Sequence, residues 1–443
     1  MAIISAKDLG LEALRAKVNK AYGGGVSSAA SARQMGSFRI STGSVALDLA
    51  LGVETGGRGG IPVGQIAMFL GEKSSGKTTA ALKCIASAQR SCARCYRPAN
   101  GLQLSAATDS EGNAILRDDG KPRMILSGSC DCYAKGLWKP RSPTSFENKK
   151  AEAEWQAVLA GYTANSYLTV VVAYFDIENA LDLGWAAQNG VFLDVMEHTR
   201  TGNAEEAIDI ADEFIKSGVV DLLIIDSIAA MVPQTEIDAS VEDWQQGLQA
   251  RLVNKMVRKL VGNAATVSAQ LGKYVTQIWI NQYRDKIGAM AGAGKTTPGG
   301  KGQRFATSVE VEFWTSDKVE EVMPGFSELA KDDQVKHVTS KRVNFTVVKN
   351  KTAADGVKGS FKLAVKNDGE VKAGDVMEYE YVFKLAMQLG LIQKTGIKYT
   401  FRGKDFTSQS AVNALMIGNP SVWEWTKAQI LDSLAGNKPK KDA

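Results

Sequence analysis

The stretch Gly71-Glu72-Lys73-Ser74-Ser75-Gly76-Lys77-Thr78-Thr79 follows the apolar run Ile66-Ala67-Met68-Phe69-Leu70 and leads into a helix-forming segment, 80–90. It fits G-x-x-x-x-G-K-[ST] in a strand–loop–helix setting. Glycine lets the backbone turn closely round an anion. Successive amide N–H groups, with a helix N-terminus behind them, then form a concave phosphate site. The pattern predicts that Lys77 neutralises β- and γ-phosphates and that the Thr78 hydroxyl ligates Mg²⁺. Gly71, Ser74, Ser75, Gly76 and Thr79 complete the cradle. The plainer alternative, a Gly/Ser loop that merely starts a helix, requires the lysine, the hydroxyl and the apolar strand to coincide by chance.

Outward from this loop the chain keeps an α/β rhythm. Residues 40–52 (ISTGSVALDLALG) read as a capped amphipathic helix, and 56–60 as a glycine-rich turn before the phosphate-loop strand. Three later apolar runs each end in polar residues. Run 168–175 leads into Asp176-Ile177-Glu178, 219–225 into Asp226-Ser227, and 275–280 into Asn281-Gln282. Helical patterns lie at 204–217 and around 255–260. Continuous apolar strands separated by helices predict a mostly parallel sheet covered on both faces, with ligands at the strands' C-terminal ends. Asp226 then matches a carboxylate that holds Mg²⁺ directly or through water. Glu178 is the candidate for activating an attacking water, against the simpler role of helix cap or ion-pair partner. Gln282 is placed to sense a γ-phosphate and pass that state onward.

The segment after Gln282 is unusual. Residues 288–302 read GAMAGAGKTTPGGKG, with no apolar period. Connections of that length without structure of their own are usually functional or disordered. Its backbone at Gly288, Met290, Gly299 and Gly300, with Lys295, Lys301 and Arg304, suits a nucleic-acid phosphate backbone. A second candidate loop spans 233–247. There Trp244 reads either as a base-stacking wedge or as ordinary packing, and Arg251 follows it.

Residues 91–166 interrupt the rhythm with a polar stretch at 105–123 and a charged helical pattern at 145–159. The interruption reads as an insertion with its own small module. It carries Cys92-x-x-Cys95 and Cys130-x-Cys132, while Cys84 stands alone on the helix after the phosphate loop. In an intracellular chain the paired cysteines favour a structural Zn²⁺ site over disulfides, with free thiols or a redox pair as the alternative. Too small to bury much core alone, such a module gains from a metal staple.

Composition sets the outer bounds. The 443 residues are 44% hydrophobic and 23% charged with a net charge of +5, ordinary for a soluble globular chain and compatible with a polyanionic partner. No apolar run approaches the roughly 20 residues of a membrane-spanning helix. Residues 1–8 lack signal-peptide character, so a cytoplasmic protein with no membrane partner is expected. Residues 7–21 carry helical apolar spacing ahead of a glycine-rich break and a Ser/Ala linker. That spacing suits a tethered helix docking on a neighbouring copy, or one folded back on its own core.

Together these residues resemble the RecA family of recombinases over almost the whole chain outside 91–166. The motifs that carry the resemblance are 40–52, 71–79, 175–182 (FDIENALD), 221–230 (DLLIIDSIAA), 280–288 (INQYRDKIG) and 347–351 (VVKNK). The resemblance implies a RecA-type ATPase core at 37–372 behind an N-terminal polymerisation helix and linker at 1–36. It also implies a small α+β C-terminal unit at 373–443 that gates duplex DNA and ends in a basic tail. It further implies ATP- and Mg²⁺-dependent polymerisation on single-stranded DNA into a helical homo-filament, with homologous pairing and strand exchange against duplex DNA. Lys77, Thr78, Glu178 and Gln282 match the family's phosphate, Mg²⁺, catalytic and sensor positions. Asp182 and Trp185 match the adenine-contacting positions, with Trp in place of the usual Tyr. Lys349 and Lys351 match lysines that reach the ATP of the adjacent protomer. Segments 233–247 and 288–302 correspond to the two DNA-binding loops. Ala291 and Gln246 replace residues that are often aromatic and Met, and the C-terminal tail is basic rather than acidic. With the cysteine-bearing insertion, these departures point to a divergent member from a bacterial or phage-infected cell. Two other readings are a DNA-coating filament that uses ATP only as an assembly switch and a helicase built on the same core. The intact Glu178 and lysine pair disfavour the first of these, and the ordered match through the C-terminal unit disfavours the second.

Overall fold

The computed structural model describes residues 38–54, 57–108, 111–117, 119–130, 132, 166–240, 247–285, 295–300, 302–322 and 336–436, with isolated positions at 13–14, 17–18, 149 and 153. Apart from those isolated positions, the expected N-terminal helix and the helical pattern at 145–159 lie outside the described residues, as do Trp244, Gln246, Gly288, Met290, Ala291, Lys301 and the basic tail.

In chain order the first half comprises β1 (Arg39–Ile40), α1 (Val45–Leu51), β2 (Ile61–Pro62), β3 (Ile66–Gly71), α2 (Lys77–Gln89), β4 (Asn100–Ala106), β5 (Met124–Ser129), β6 (Ser166–Leu168), β7 (Val172–Asp176), α3 (Leu183–Gln188), β8 (Met196–Thr199), α4 (Ala204–Lys216) and β9 (Leu222–Asp226). The second half comprises α5 (Gln234–Ile237), α6 (Leu248–Leu271), β10 (Thr276–Ile280), β11 (Arg284–Asp285), β12 (Lys295–Thr296), α7 (Gly302–Ala306), β13 (Val309–Val322), β14 (Lys336–Asn350), β15 (Lys358–Ala364), α8 (Tyr379–Gln388), β16 (Ile392–Thr395), β17 (Lys398–Phe401), β18 (Lys404–Phe406), α9 (Gln409–Ile417) and α10 (Pro420–Leu434).

Eight strands form the central sheet in the order β15-β14-β13-β3-β10-β9-β7-β8. From β13 to β8 every pair is parallel, and β14 and β15 add an antiparallel edge. The strands β3, β7, β9 and β10 are buried along their whole length, as continuous apolar runs flanked by helices require. One face packs with α1 and α2 through Leu47, Leu51, Ala81 and Ile85. The other packs with α4 and α6 through Ile208, Ile215, Val253, Met256 and Leu260. Fully burying one such side chain contributes about 1.5–3 kcal/mol. The sheet order therefore brings the C-terminal ends of β3, β10, β9 and β7 together along one edge.

Two boundaries differ from the sequence reading. The run 168–175 is not one strand: Leu168 pairs with Ser127 in the insertion's sheet β4-β5-β6, and the core strand starts at Val172. Thr169 bridges to Cys92 in between, so the change of sheet happens inside an unbroken apolar stretch. Of 40–52, only 45–51 is helical, because Ser44 caps it through the Leu47 amide and Ile40 pairs with Ile61 in β1-β2.

Residues 379–434 bury a cluster of their own around Phe383, Phe401, Val412 and Ile430. Glu378 ties this cluster to the core: its carboxylate accepts from the Ser44 hydroxyl and from the amides of Val45 and Ala46 at the start of α1. Burial pushes Glu378 up to about 7 against those three donors.

Candidate active site

The phosphate loop follows β3 and turns into α2 at Gly76, whose φ of 98° belongs to the left-handed region that favours glycine. Lys77 is buried at the first turn, its Nζ donating to the Glu72 carbonyl at 2.6 Å and lying 3.4 Å from Ser75 Oγ. Burial lowers its pKa, opposed by the charges of Asp226, Glu178 and Glu72. Ser74, Ser75, Gly76, Lys77, Thr78 and Thr79 line a cavity of about 170 Å³.

Asp226, the last residue of β9, faces this loop. Its Oδ2 accepts from the Thr78 hydroxyl at 2.9 Å and from the Tyr174 hydroxyl at 2.7 Å. Burial raises its pKa to about 6, the two hydroxyls pull it down, and Glu178 pushes it up. A buried carboxylate with two hydroxyl donors and no ion-pair partner among the described residues fits a divalent cation, with Thr78 as the second oxygen ligand.

Glu178 is held beside it by the backbone. Asp176, buried at the end of β7, accepts from the amides of Ala180 and Leu181 and from Arg200 Nε, which fixes the turn 177–181. The amides of Ile177 and Glu178 donate to the Asp226 carbonyl at 2.7 and 3.3 Å. The exposed Glu178 carboxylate accepts from Ser227 Oγ at 2.6 Å and from Gln282 Nε2. With Ile177, Ala180, Ala229 and Ala230, Glu178 and Gln282 border an open cleft of about 410 Å³. Strand ends from β7, β9 and β10 thus converge on the phosphate loop.

The model of the RecA N-terminal domain matches residues 10–97 and 159–366, together well over half of the chain. The chain belongs to the RecA family. It is 30% identical to Protein RecA of Streptococcus mutans over 87% of this chain and 74% of the relative. To Protein RecA of Bifidobacterium breve it is 30% identical over 94% and 79%, and to that of Desulforapulum autotrophicum 28% over 99% and 96%. The RecA-family match omits 98–158, which falls within the insertion read from the sequence.

The remaining RecA-family expectations distribute over three places. Trp185 lies against the start of α2, its indole N–H donating to Thr79 Oγ1 at 3.3 Å, while Asp182 is exposed and caps α3 through the Trp185 amide. Lys349 and Lys351 sit elsewhere. Lys349 pairs with Glu310 across β13-β14, and Glu310 is level with Met68, three residues before Gly71; at about 3.3 Å per residue Lys349 stands roughly 10 Å along the sheet from the start of its own phosphate loop, with Lys351 further on. The Lys349 ammonium contacts the Arg304 carbonyl and lies 3.8 Å from Glu310, and Lys351 Nζ donates to the Phe305 carbonyl at 3.3 Å.

Of the loop residues, Arg251 is exposed on the first turn of α6. Arg304 is committed to a buried partner: its Nε and Nη2 lie 3.1 and 3.0 Å from Glu310 Oε2. Lys295 falls in β12, which pairs with β11. The base of the second glycine-rich segment packs on α6, beside the end of the first candidate loop. Gly299 and Gly300 abut Val253 and Ala250, and a Cβ at Gly302 would meet Asn254 Oδ1 at 1.9 Å. A side chain at Gly302 would force the Asn254 amide to move aside.

Four further residues belong to this site. Tyr174 and Ser227 hold the two carboxylates. Gln303, fully buried, joins Asn281 to the glycine-rich segment: Asn281 Nδ2 donates to Gln303 Oε1 at 3.0 Å and to the Pro298 carbonyl at 3.1 Å, and Gln303 Nε2 to the Pro298 and Gly300 carbonyls. Lys341, on β14, completes the lining of the phosphate-loop cavity. Ser227 directly follows the Asp226 motif; the other three carry no local spacing signal.

Proposed function

We propose that this chain is an ATP-dependent recombinase that polymerises on single-stranded DNA, pairs it with homologous duplex and exchanges strands, hydrolysing ATP between protomers. The observation that carries the reading is the continuous linkage from Glu178 through Gln282 and Asn281 to Pro298, Gly300 and Gln303. One set of hydrogen bonds spans the nucleotide cleft and the base of the expected DNA loop.

In this reading Lys77 and the amides of 72–78 hold the phosphates, and Thr78 and Asp226 hold Mg²⁺. Bound there, the ion supplies charge stabilisation to the transferring phosphoryl group. Glu178 orients the attacking water and accepts its proton, with Ser227 fixing the carboxylate. Gln282 stands beside Glu178 and reports occupancy of the cleft to the 288–302 segment. Trp185 stacks on the base beside α2, and Asp182 contacts its edge. Lys349 and Lys351 face away from their own phosphate loop and serve the neighbouring protomer's, so turnover requires a filament. Residues 37–372 without 91–166 act as the ATPase core and 373–443 as the duplex gate.

ATP hydrolysis measured with and without single-stranded DNA tests this: strong stimulation is expected, together with strand exchange between homologous molecules. Hydrolysis that ignores DNA would sink the filament mechanism. Filament formation with neither turnover nor exchange would instead favour a coating protein that uses ATP as an assembly switch.

A further inference from the structure

The insertion meets the core at a knot that the ATPase reading does not use. Cys92, Cys95, Cys130 and Cys132 are all buried, and their four sulfurs lie within 4.8 Å of one another. All four thiols are free, and the Cys95 and Cys130 sulfurs are 3.6 Å apart. A disulfide needs about 2.05 Å. Four sulfurs bound at about 2.3 Å to one tetrahedral zinc stand about 3.8 Å from each other. The observed spacing fits the metal, not the bond.

The surrounding backbone is arranged to host thiolates. Cys92 Sγ accepts from the Arg94 amide at 3.4 Å and from the Cys95 amide, and Cys95 Sγ accepts from the Arg97 amide. The turn is closed by Cys92 N–H to the Arg97 carbonyl at 2.9 Å and Tyr96 N–H to the Cys92 carbonyl at 2.7 Å. Tyr96 is held there at a φ of 55°, a left-handed conformation unfavourable for a side-chain-bearing residue. Charge points the same way. A zinc tetrathiolate carries two net negative charges, and the Arg58 guanidinium interacts with Cys95. Arg58 Nη1 and Arg97 Nε are enclosed donors with no hydrogen-bond partner among the described residues. Glu54 already compensates part of their charge, and a zinc-bound thiolate cluster beside Arg58 would add to it.

The described part of the insertion buries little apolar surface of its own. Among described residues 100–130, the buried apolar side chains are Ala107, Leu126 and Cys130, while Leu104, Ile115 and Leu116 are exposed. A three-stranded sheet with so little burial is marginal without a staple.

We propose that Cys92, Cys95, Cys130 and Cys132 bind one zinc ion, compensated by Arg58, and that this centre pins the insertion sheet to the far end of the phosphate-loop helix. Cys92 lies just past the end of α2, bridged to Thr169, and the Val170 amide donates to the Ser91 carbonyl at 3.2 Å. Metal content of the full-length protein should be one zinc per chain, and exchange for cobalt should give the intense visible absorption of a tetrahedral tetrathiolate. Chelation should expose four thiols that added zinc protects again, and limited proteolysis should then cut within 98–165. Cys130→Ser/Cys132→Ser should lose the zinc yet still bind a fluorescent ATP analogue. Arg58→Met should release zinc to a competing chelator roughly tenfold faster, the scale expected for a partner of metal ligands. Wild-type protein that takes up no zinc overturns the proposal. So does iron in its place, a disulfide detected by mass, or unchanged zinc in the double variant. The cobalt spectrum and thiol protection are read on wild-type protein, so a misfolded variant does not blunt the test.

Discussion

Strand β9 has a buried aspartate at each end, and the two have different surroundings. Asp221, just before the strand, lies 2.7 Å from Lys273 Nζ, accepts the Val171 amide at 2.9 Å and is bonded to the Tyr96 hydroxyl. Asp226, at the other end, has two hydroxyls and no cation in contact among the described residues. Burial raises the pKa of both; at Asp221 the contacting Lys273 pulls it back, while at Asp226 the two hydroxyls do so first and the charge of Lys77 acts without contact. Burying a carboxylate costs several kcal/mol unless it is compensated. The compensated end packs toward the cysteine cluster through Tyr96; the under-compensated end fits the proposed cation. One strand thus separates a sealed pole from a reactive one.

The largest effect should come from exchanging the roles of the poles. Lys77→Ala is expected to lower ATP turnover by about 10³-fold, the scale of removing a preorganised charge from a transition state, with little change in thermal midpoint. Asp221→Asn should do the reverse. Turnover should stay near wild type, while the lost ion pair and weakened hydrogen bonds cost about 1–3 kcal/mol of stability, read in urea unfolding. Equal loss of turnover in both variants would end the distinction.

Next in size is Glu178→Gln, which keeps the hydrogen-bonding shape and removes the base. A fall of about 10²–10⁴ in turnover with ATP affinity retained is expected from rapid-quench and nucleotide-binding assays. A matching loss of affinity would make Glu178 a binding residue instead.

The reactive pole should also respond to pH. A carboxylate at about 6 is available to Mg²⁺ only above that value. Below it a proton competes, and Mg²⁺-dependent nucleotide affinity should fall by about tenfold per pH unit. Without metal, the raised value has the opposite consequence for the fold. The native state holds this proton more tightly than the unfolded chain, so the contribution of Asp226 to stability declines as pH rises from 3.8 to about 6 and is level beyond it. Asp226→Asn should flatten both profiles.

What could be read from sequence follows the same division. The convergence at this pole is legible where covalent spacing encodes geometry: the phosphate loop within nine residues, and Asp226, Glu178 and Gln282 each within three residues of the end of an apolar run. Tyr174 is not, since it looks like any aromatic residue in a buried strand until β7 and β9 pair. Gln303 was hidden in a glycine-rich segment and acts through Asn281, a partner far away in sequence. Arg304 read as a cation free for phosphate, although Glu310, six residues on, takes it up once β13 forms. The break at 169–171 was invisible because apolar residues continue across it. At the sealed pole the cysteine spacing pointed to a metal. The connection to Asp221 through Tyr96 exists only in three dimensions.

Gln303 gives a smaller test, of coupling rather than chemistry. Gln303→Leu should leave DNA-free hydrolysis unchanged and reduce its stimulation by single strands about 3- to 10-fold, within the range of coupling lost when a connecting contact is cut. Unchanged stimulation would show that the linkage through Asn281 carries no signal.

Lys341 gives the smallest effect and the finest test of where the reactive pole ends. It stands on β14, two residues from Val343, whose methyl groups lie against Gly76, and side chains two apart on a strand share a face. That register places its ammonium at the phosphate-loop cavity. Burial and the charge of Lys318 lower its pKa, so the group gains by meeting an anion. It is only partly buried, and solvent screens much of the attraction. At an effective dielectric between protein and water, Lys341→Met should weaken ATP binding about 2- to 5-fold. The difference should shrink in high salt, whose screening length falls to about 3 Å at 1 M. A loss of affinity insensitive to salt would make Lys341 a packing residue, and the reactive pole would then stop at the phosphate loop itself.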